Sequence, residues 1–306
     1  MESIYREHRS AIWGVCYRMT GCAADADDLV QATFVRAIER PPSDRSRPWR
    51  PWLVKVAMNL SRDLLRRRRR RGYVGPWLPS PVEVERAGLD GEALETGEAA
   101  DRRYGLLESV TFAFLLALEV LTPQQRAVLL LRDVFGASGQ EAAEALGISD
   151  DRVRATLVRA RRAMAAYDGA RCLPDEATRR RTREALERFM ACLALGDVEG
   201  AGALLAEDVR ALHDGGGEFL SALKPLHGRR RVLGLYVGLA EKLQRQATST
   251  RLEIRPLNGL PALHMEAEGM PPRQAGRVVV IGVVDEDGRL RGLHAVLSTR
   301  KLSAAG

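Results

Sequence analysis

The sequence predicts a multi-domain chain in which two all-α domains precede an α+β domain. Three observations carry the prediction. Apolar residues recur at helical spacing through Trp52, Leu53, Val56, Leu60 and Leu64, and the run ends in consecutive arginines, Arg66 to Arg71. Between Thr122 and Ala166, caps, periodicity and a glycine turn are spaced as in a helix-turn-helix. After a helical stretch from Asp175, the runs 249–256, 261–266, 277–284 and 292–298 read as strands. A length of 306 residues, 45% hydrophobic and 28% charged, suits two or three soluble domains.

Residues 3–19 form the first helix, with Ile4, Ile12, Val15, Cys16 and Met19 apolar and Gly21 at its end. Asp25 to Arg40 forms the second. Its early acids suit the helix dipole, and Leu29, Val30, Phe34, Val35 and Ile38 supply packing. Asp25, Asp27, Asp28 and Gln31 lie on its polar side, and Pro41 and Pro42 stop it. The stretch Arg45 to Arg71 opens with aromatic and basic residues together: Trp49, Arg50, Trp52 and Lys55. Aromatic faces stack on bases, worth roughly 1–3 kcal/mol per base, and cations hold phosphates. Both tryptophans would also serve as core, and the arginines as a solvated helix end.

GYVGPWLPSPV, residues 72–82, excludes regular helix, and its apolar Trp77-Leu78-Pro79 is expected to dock rather than lie in solvent. Glu83, Glu85, Asp90, Glu92, Glu95, Glu98 and Asp101 mark an acidic spacer, flexible in composition. An apolar helix spans 106–120. Thr122 then caps a helix with Pro123 in its first position and Gln125 three residues after the cap. Ser138 starts a short helix, Gly147 makes the turn, and Ser149 caps the helix that follows, 150–166. Its Val153, Leu157, Ala160 and Met164 face inward. Arg152, Arg154 and Thr156, near its start, are the expected base readers; Arg159, Arg161 and Arg162 are the expected phosphate holders.

Beyond residue 173 the helix Asp175 to Leu195 is amphipathic, and Asp287-Gly288 reads as a hairpin turn between late strands. Helices followed by antiparallel strands argue for an α+β domain. Asp214-Gly215-Gly216-Gly217 gives a backbone that a partner can approach closely, or a tight turn.

The net charge of +7 suits a polyanion or a membrane surface. Met1 to Glu7 is polar, so no secretory leader is expected, and no apolar run is long enough to span a bilayer. Cys16, Cys22, Cys172 and Cys192 lack CxxC spacing and paired histidines. They are expected to be reduced thiols in a cytoplasmic protein without metal or cofactor.

The pieces AIWGVCYRMTGCAADADDLVQATFVRAIER and RPWRPWLVKVAMNLSRDLLRRRRRR, within Ile4 to Arg71, resemble region 2 of the extracytoplasmic-function (ECF) sigma factors of the sigma-70 family. The helix-turn-helix block resembles region 4. Residues from about Asp175 to Arg300 resemble a SnoaL-like (NTF2-like) cone, a curled sheet wrapped by helices. WLPSP, DGGGE and NGLPA resemble motifs of the sigma subgroup that carries such a fused domain, where the first usually has Glu at position 80 and the second Lys at 218.

The resemblance implies region 2 over 1–72, a linker over 73–105, region 4 over 106–170 and a regulatory domain over 173–300. It implies a −10 element read by Arg47, Trp49, Trp52, Lys55, Asn59 and Arg62, with a base-flipping pocket formed by the loop Ser43 to Pro48. The −35 element falls to the arginine-rich helix, and core RNA polymerase docking, on its β′ and β subunits, to Asp27, Asp28, Gln31 and Phe34. A regulatory contact joins Trp77, Leu78 and Pro79 to Asp214, Gly215, Gly216, Gly217, Asn258, Gly259 and Pro261. The expected function is promoter-specific transcription initiation by a monomer, tuned in cis by the last domain, which could also take a small ligand. A helix-turn-helix regulator with a ligand-sensing domain is the alternative, but leaves the residues around Trp49 unexplained. Catalysis is not expected: His213, Asp214, His227 and His264 are the base candidates in the cone, and no second signature accompanies them.

Overall fold

The computed structural model describes residues 1–84, 86, 103–171 and 174–304. The chain divides into two compact units: Met1–Gly72 with Val82–Cys172, and Tyr73–Pro81 with Leu173–Gly306. The acidic residues Glu85, Asp90, Glu92, Glu95, Glu98 and Asp101, and Cys172, lie outside the described residues.

The first unit is all α. Helix α1 (Glu2–Thr20) stops at Gly21, whose φ of 65° is a left-handed cap that favours glycine. With α2 (Ala23–Glu39) and α3 (Trp49–Arg71) it forms a three-helix bundle. The buried stripe of α3 is rotated from the expected one. Leu53, Ala57, Met58, Ser61 and Leu65 are buried, whereas Trp52, Val56, Leu60 and Leu64 are half-buried. Ala57 and Ser61 are small enough to admit a neighbouring backbone, and a tally of large apolar groups passes over them. The arginine run is not simply a solvated end. Arg68 donates to the Thr20 carbonyl at 3.0 Å and to both Glu119 oxygens at 2.8 and 2.9 Å, and Arg69 donates to the Leu121 carbonyl.

The expected helix over 106–120 is broken into a 3-10 turn Glu108–Val110, α4 (Phe112–Ala117) and a second 3-10 turn Leu118–Val120. Thr111 is extended, and its hydroxyl accepts from the Phe114 N–H, so a new helix starts mid-segment. Helix α5 (Pro123–Leu129) carries the Thr122–Gln125 capping box and runs into a π-turn, Leu130–Val134. Helix α6 (Gly139–Leu146), boxed by Ser138 and Glu141, turns at left-handed Gly147 into α7 (Asp150–Ala163), which Ser149 caps. A short α8 (Ala165–Gly169) follows. Buried cations tie the two helical blocks of this unit together. Arg18 donates to Ser109 Oγ at 2.7 Å and to the Leu106 carbonyl at 3.3 Å. Arg126 donates to the Met19 carbonyl at 2.9 Å and to Glu119 at 2.6 Å. A buried charge is tolerated only with such acceptors around it.

The second unit is α+β. Helices α9 (Glu176–Leu195), α10 (Val198–Ala203) and α11 (Arg229–Gln246) cover a six-stranded sheet. Its strands are β1 (Leu205–Asp214), β2 (Leu226–His227), β3 (Ser249–Leu257), β4 (Leu260–Glu268), β5 (Arg277–Val284) and β6 (Leu290–Val296), in the order β2-β1-β6-β5-β4-β3. Strand β1 was not among the expected strands, and it pairs parallel to β6, so the sheet is not wholly antiparallel. The chain closes with α12 (Thr299–Leu302). Leu186, Phe189 and Leu193 of α9 and Val232 and Tyr236 of α11 pack on Val209, Leu263, Val280 and Leu293 of the sheet. This is the helix-wrapped cone that the sequence predicts.

Candidate nucleic-acid interface and linker seat

At the start of α3, Trp49 and Trp52 meet edge to face with ring centroids 6.2 Å apart, and both are half-buried. Between them in sequence, Arg50 is half-buried, and its Nε and Nη2 have no hydrogen-bond partner among the described residues. Burial lowers its pKa. Arg47 lies in the preceding loop, 3.3 Å from Asp44, and Lys55 is exposed. Asn59 and Arg62 do not join this cluster. Asn59 donates to the Ala145 carbonyl at 3.3 Å and Arg62 to the Leu146 carbonyl at 3.2 Å, so both are engaged by the end of α6. Arg62 is buried.

On α7, Arg152, Arg154, Arg159 and Arg162 are exposed. Thr156 is 3% exposed on the inner face with Val153 and Leu157, which removes it from the base readers. Arg161 is also reassigned: its Nε and Nη2 donate to both oxygens of buried Asp133 at 2.9 and 2.6 Å. That pairing raises its pKa. Val158 is 67% exposed between the arginines. Arg161→Ala is therefore expected to destabilise the first unit by about 2 kcal/mol, less than a fully buried pair because water reaches the guanidinium. The melting temperature should fall roughly 4–8 °C. Arg152→Ala should weaken duplex binding and leave the melting temperature unchanged. Equal melting temperatures for the two variants would contradict this division.

On α2, Asp28 and Gln31 are exposed, and Val35 and Ile38, expected to be packing residues, are 49% and 66% exposed on the same stripe. Asp27 accepts from Trp13 Nε1 at 2.7 Å. Phe34 is buried with its ring 4.9 Å from that of Tyr5, so it belongs to the core and not to this surface.

In the second unit, the segment 73–81 is seated against the end of β1. Asp214, fully buried, accepts from the Tyr73 hydroxyl at 2.6 Å, the Leu78 N–H at 2.7 Å and the Gly216 N–H at 3.1 Å. Lys301, 4% exposed, pairs with the same carboxylate and donates to the Leu78 carbonyl at 2.6 Å. Its ammonium lies 4.1 Å from the Trp77 ring centroid and 4.6 Å from that of Tyr73, a cation–π arrangement. Leu78, Pro79 and Ser80 are buried, so glutamate at position 80 would place a carboxylate in a closed site. A Cβ on Gly215 would come within 2.7 Å of the Phe219 carbonyl oxygen, and Gly217 has a φ of 77° with Val74 against it, so the glycines are needed for the close approach. Glu218 accepts from the Thr299 N–H at 3.0 Å and holds the start of α12 in place of making a basic contact.

Asn258 and Gly259 are elsewhere. With φ of 50° and 79° they form the tight turn from β3 to β4, the hairpin role of such a pair. By strand order, that turn lies three strands from β1. Pro261 follows the turn on β4. Lys301, which completes the Asp214 site, was not anticipated.

Among the described histidines of the cone, His264 has a carboxylate beside it, Glu266 at 3.8 Å, outside the apolar interior. His264 sits between Arg255 and Arg277, and His227 is exposed. His213 faces the interior, where burial holds its pKa down to about 4. Unfolding lets it take up a proton at any pH below its ordinary value of about 6.5. The second unit is thus expected to keep full stability above about pH 6.5 and to lose roughly 3 kcal/mol through this group as pH falls to about 4. Melting temperatures across that range check this; His213→Phe should reduce the slope without abolishing it, because His294 in the same unit is also held down to about 4 by burial.

The Sigma-70 region 2 family matches residues 4–71, and the Sigma-70 region 4 family matches residues 111–164. The ECF RNA polymerase sigma factor SigJ of Mycobacterium tuberculosis (strain ATCC 25618 / H37Rv) is 35% identical over 238 residues, 76% of this chain and 71% of SigJ. SigG of M. tuberculosis (strain CDC 1551 / Oshkosh), also an ECF sigma factor, is 38% identical over 172 residues, 50% of this chain and 45% of that one. The crystal structure of M. tuberculosis SigJ superposes with a TM-score of 0.68 at 27% identity, covering 99% of both chains. Two helical promoter-type modules followed by an α+β cone define a sigma factor with a fused domain. The chain belongs to the ECF family of RNA polymerase sigma factors.

Proposed function

We propose that this sigma factor directs core RNA polymerase, through the β′ and β subunits, to promoters whose −10 element is opened by the Trp49–Trp52 face and whose −35 element is read by α7. Arg50 and Lys55 hold phosphate beside the tryptophans. Arg152, Arg154, Arg159 and Arg162 serve α7, and the exposed stripe Asp28, Gln31, Val35 and Ile38 docks the polymerase. Asn59 and Arg62 become available only when α3 and α6 separate. The cone is a regulator and not a catalyst, and the observation that carries this reading is the Asp214–Lys301 seat. It grips residues 73–81, which connect Gly72 to Val82 of the first unit, and so restrains the opening that promoter reading requires. Run-off transcription with purified core polymerase tests the sigma assignment. A promoter-specific transcript is expected, and polymerase binding without any specific transcript would overturn it.

A further inference from the structure

The second unit holds an open-mouthed cavity of about 400 Å³ between α9, α11 and the sheet. That is within the roughly 300–1,000 Å³ range of pockets for small organic ligands. Its wall is largely apolar, with Phe189, Leu193, Leu263, Val280 and Leu293 prominent. Lys242, Gln244, Thr250 and Gln274 also line it, and two further polar side chains, His213 and Tyr236, are buried in it. His213 is 5% and Tyr236 7% exposed, and their ring centroids are 5.7 Å apart. Neither imidazole nitrogen and not the phenol oxygen has a hydrogen-bond partner among the described residues.

An unsatisfied buried polar group is destabilising, and two that face one cavity point to a molecule that satisfies both. A neutral imidazole has one donor and one acceptor, and a phenol can act as either. A carbonyl or hydroxyl oxygen fits that pair. No Asp or Glu lines the cavity among the described residues. Asp214, next to His213 on β1, serves the linker seat on the other side of the strand. The cavity therefore has no carboxylate base, and its chemistry is that of binding.

We propose that this cavity binds an uncharged, largely apolar small molecule whose carbonyl or hydroxyl oxygen is held at the buried end by His213 and Tyr236. The proposal stands apart from the sigma assignment, and its failure would leave that assignment untouched.

The full chain is titrated with the neutral naphthyl ketone prodan and with the dimethylaminonaphthalene that lacks its carbonyl, following probe emission. Prodan should bind saturably, one to one, with blue-shifted emission and about tenfold more tightly than the carbonyl-free probe, the effect of about two hydrogen bonds. Tyr236→Phe keeps the ring and should cut that preference severalfold without altering the carbonyl-free probe. Ala295→Phe, which fills the cavity, should abolish binding of both. Equal affinity for the two probes, a preference unchanged in Tyr236→Phe, tighter binding of the corresponding naphthoate, or no saturable binding would each overturn the proposal.

Discussion

Replacing Asp214 by alanine is expected to release the 73–81 segment and to destabilise the second unit by about 3–5 kcal/mol, because it strands the buried Lys301 ammonium. The same change removes the acceptor of the Tyr73 hydroxyl and the Leu78 N–H. The loss should appear as a melting temperature lower by on the order of 10 °C. Faster hydrogen exchange at the Leu78 amide would report the segment itself. The paired change Asp214→Leu with Lys301→Met removes both charges together and should recover much of the stability, since apolar replacement of a whole buried pair is often neutral. Undiminished protection of the Leu78 amide in Asp214→Ala would mean that the seat rests on the packing of Trp77 and Leu78 alone.

Trp52→Ala is expected to reduce open-complex formation by roughly 5–150-fold, the equivalent of about 1–3 kcal/mol for one stacked base. Permanganate reactivity of unpaired thymines in the polymerase complex measures it. Closed-complex binding should change little, because phosphate contacts carry most of that affinity. Trp52→Phe should restore most of the opening. Part of the alanine effect comes from the lost edge-to-face contact with Trp49, which such pairs value at about 0.5–1.5 kcal/mol. Normal opening by Trp52→Ala would place the stacking face elsewhere.

What was legible in the sequence was local. The Thr122–Gln125 box, the Ser149 cap and Gly147 lie within a few residues of the groups they satisfy, so their spacing alone specifies them. The strand β5 was legible because a continuous Val and Ile run has few other uses. The misses were long-range. Arg161 looks like every other arginine of α7 until Asp133 arrives from 28 residues earlier. Lys301 and Asp214 are 87 residues apart, and a buried lysine is the residue type least expected inside. Strand β1 was hidden because Glu207, Asp208 and Arg210 occupy its outward positions in LAEDVRALHD. His213 and Asp214 both read as base candidates, because a catalyst in such a cone needs a histidine or carboxylate in an apolar cavity. The alternation of a strand puts the two on opposite sides, one in the cavity and one in the linker seat.

The central claim is that the cone restrains this sigma factor through its hold on residues 73–81. Run-off transcription with core polymerase tests it most directly, comparing the unaltered chain with Asp214→Ala at equal polymerase occupancy and at a temperature where both stay folded. A promoter-specific transcript that rises severalfold in the variant is the predicted result. Equal output from the two chains, with the Leu78 amide shown to be released, would contradict the account.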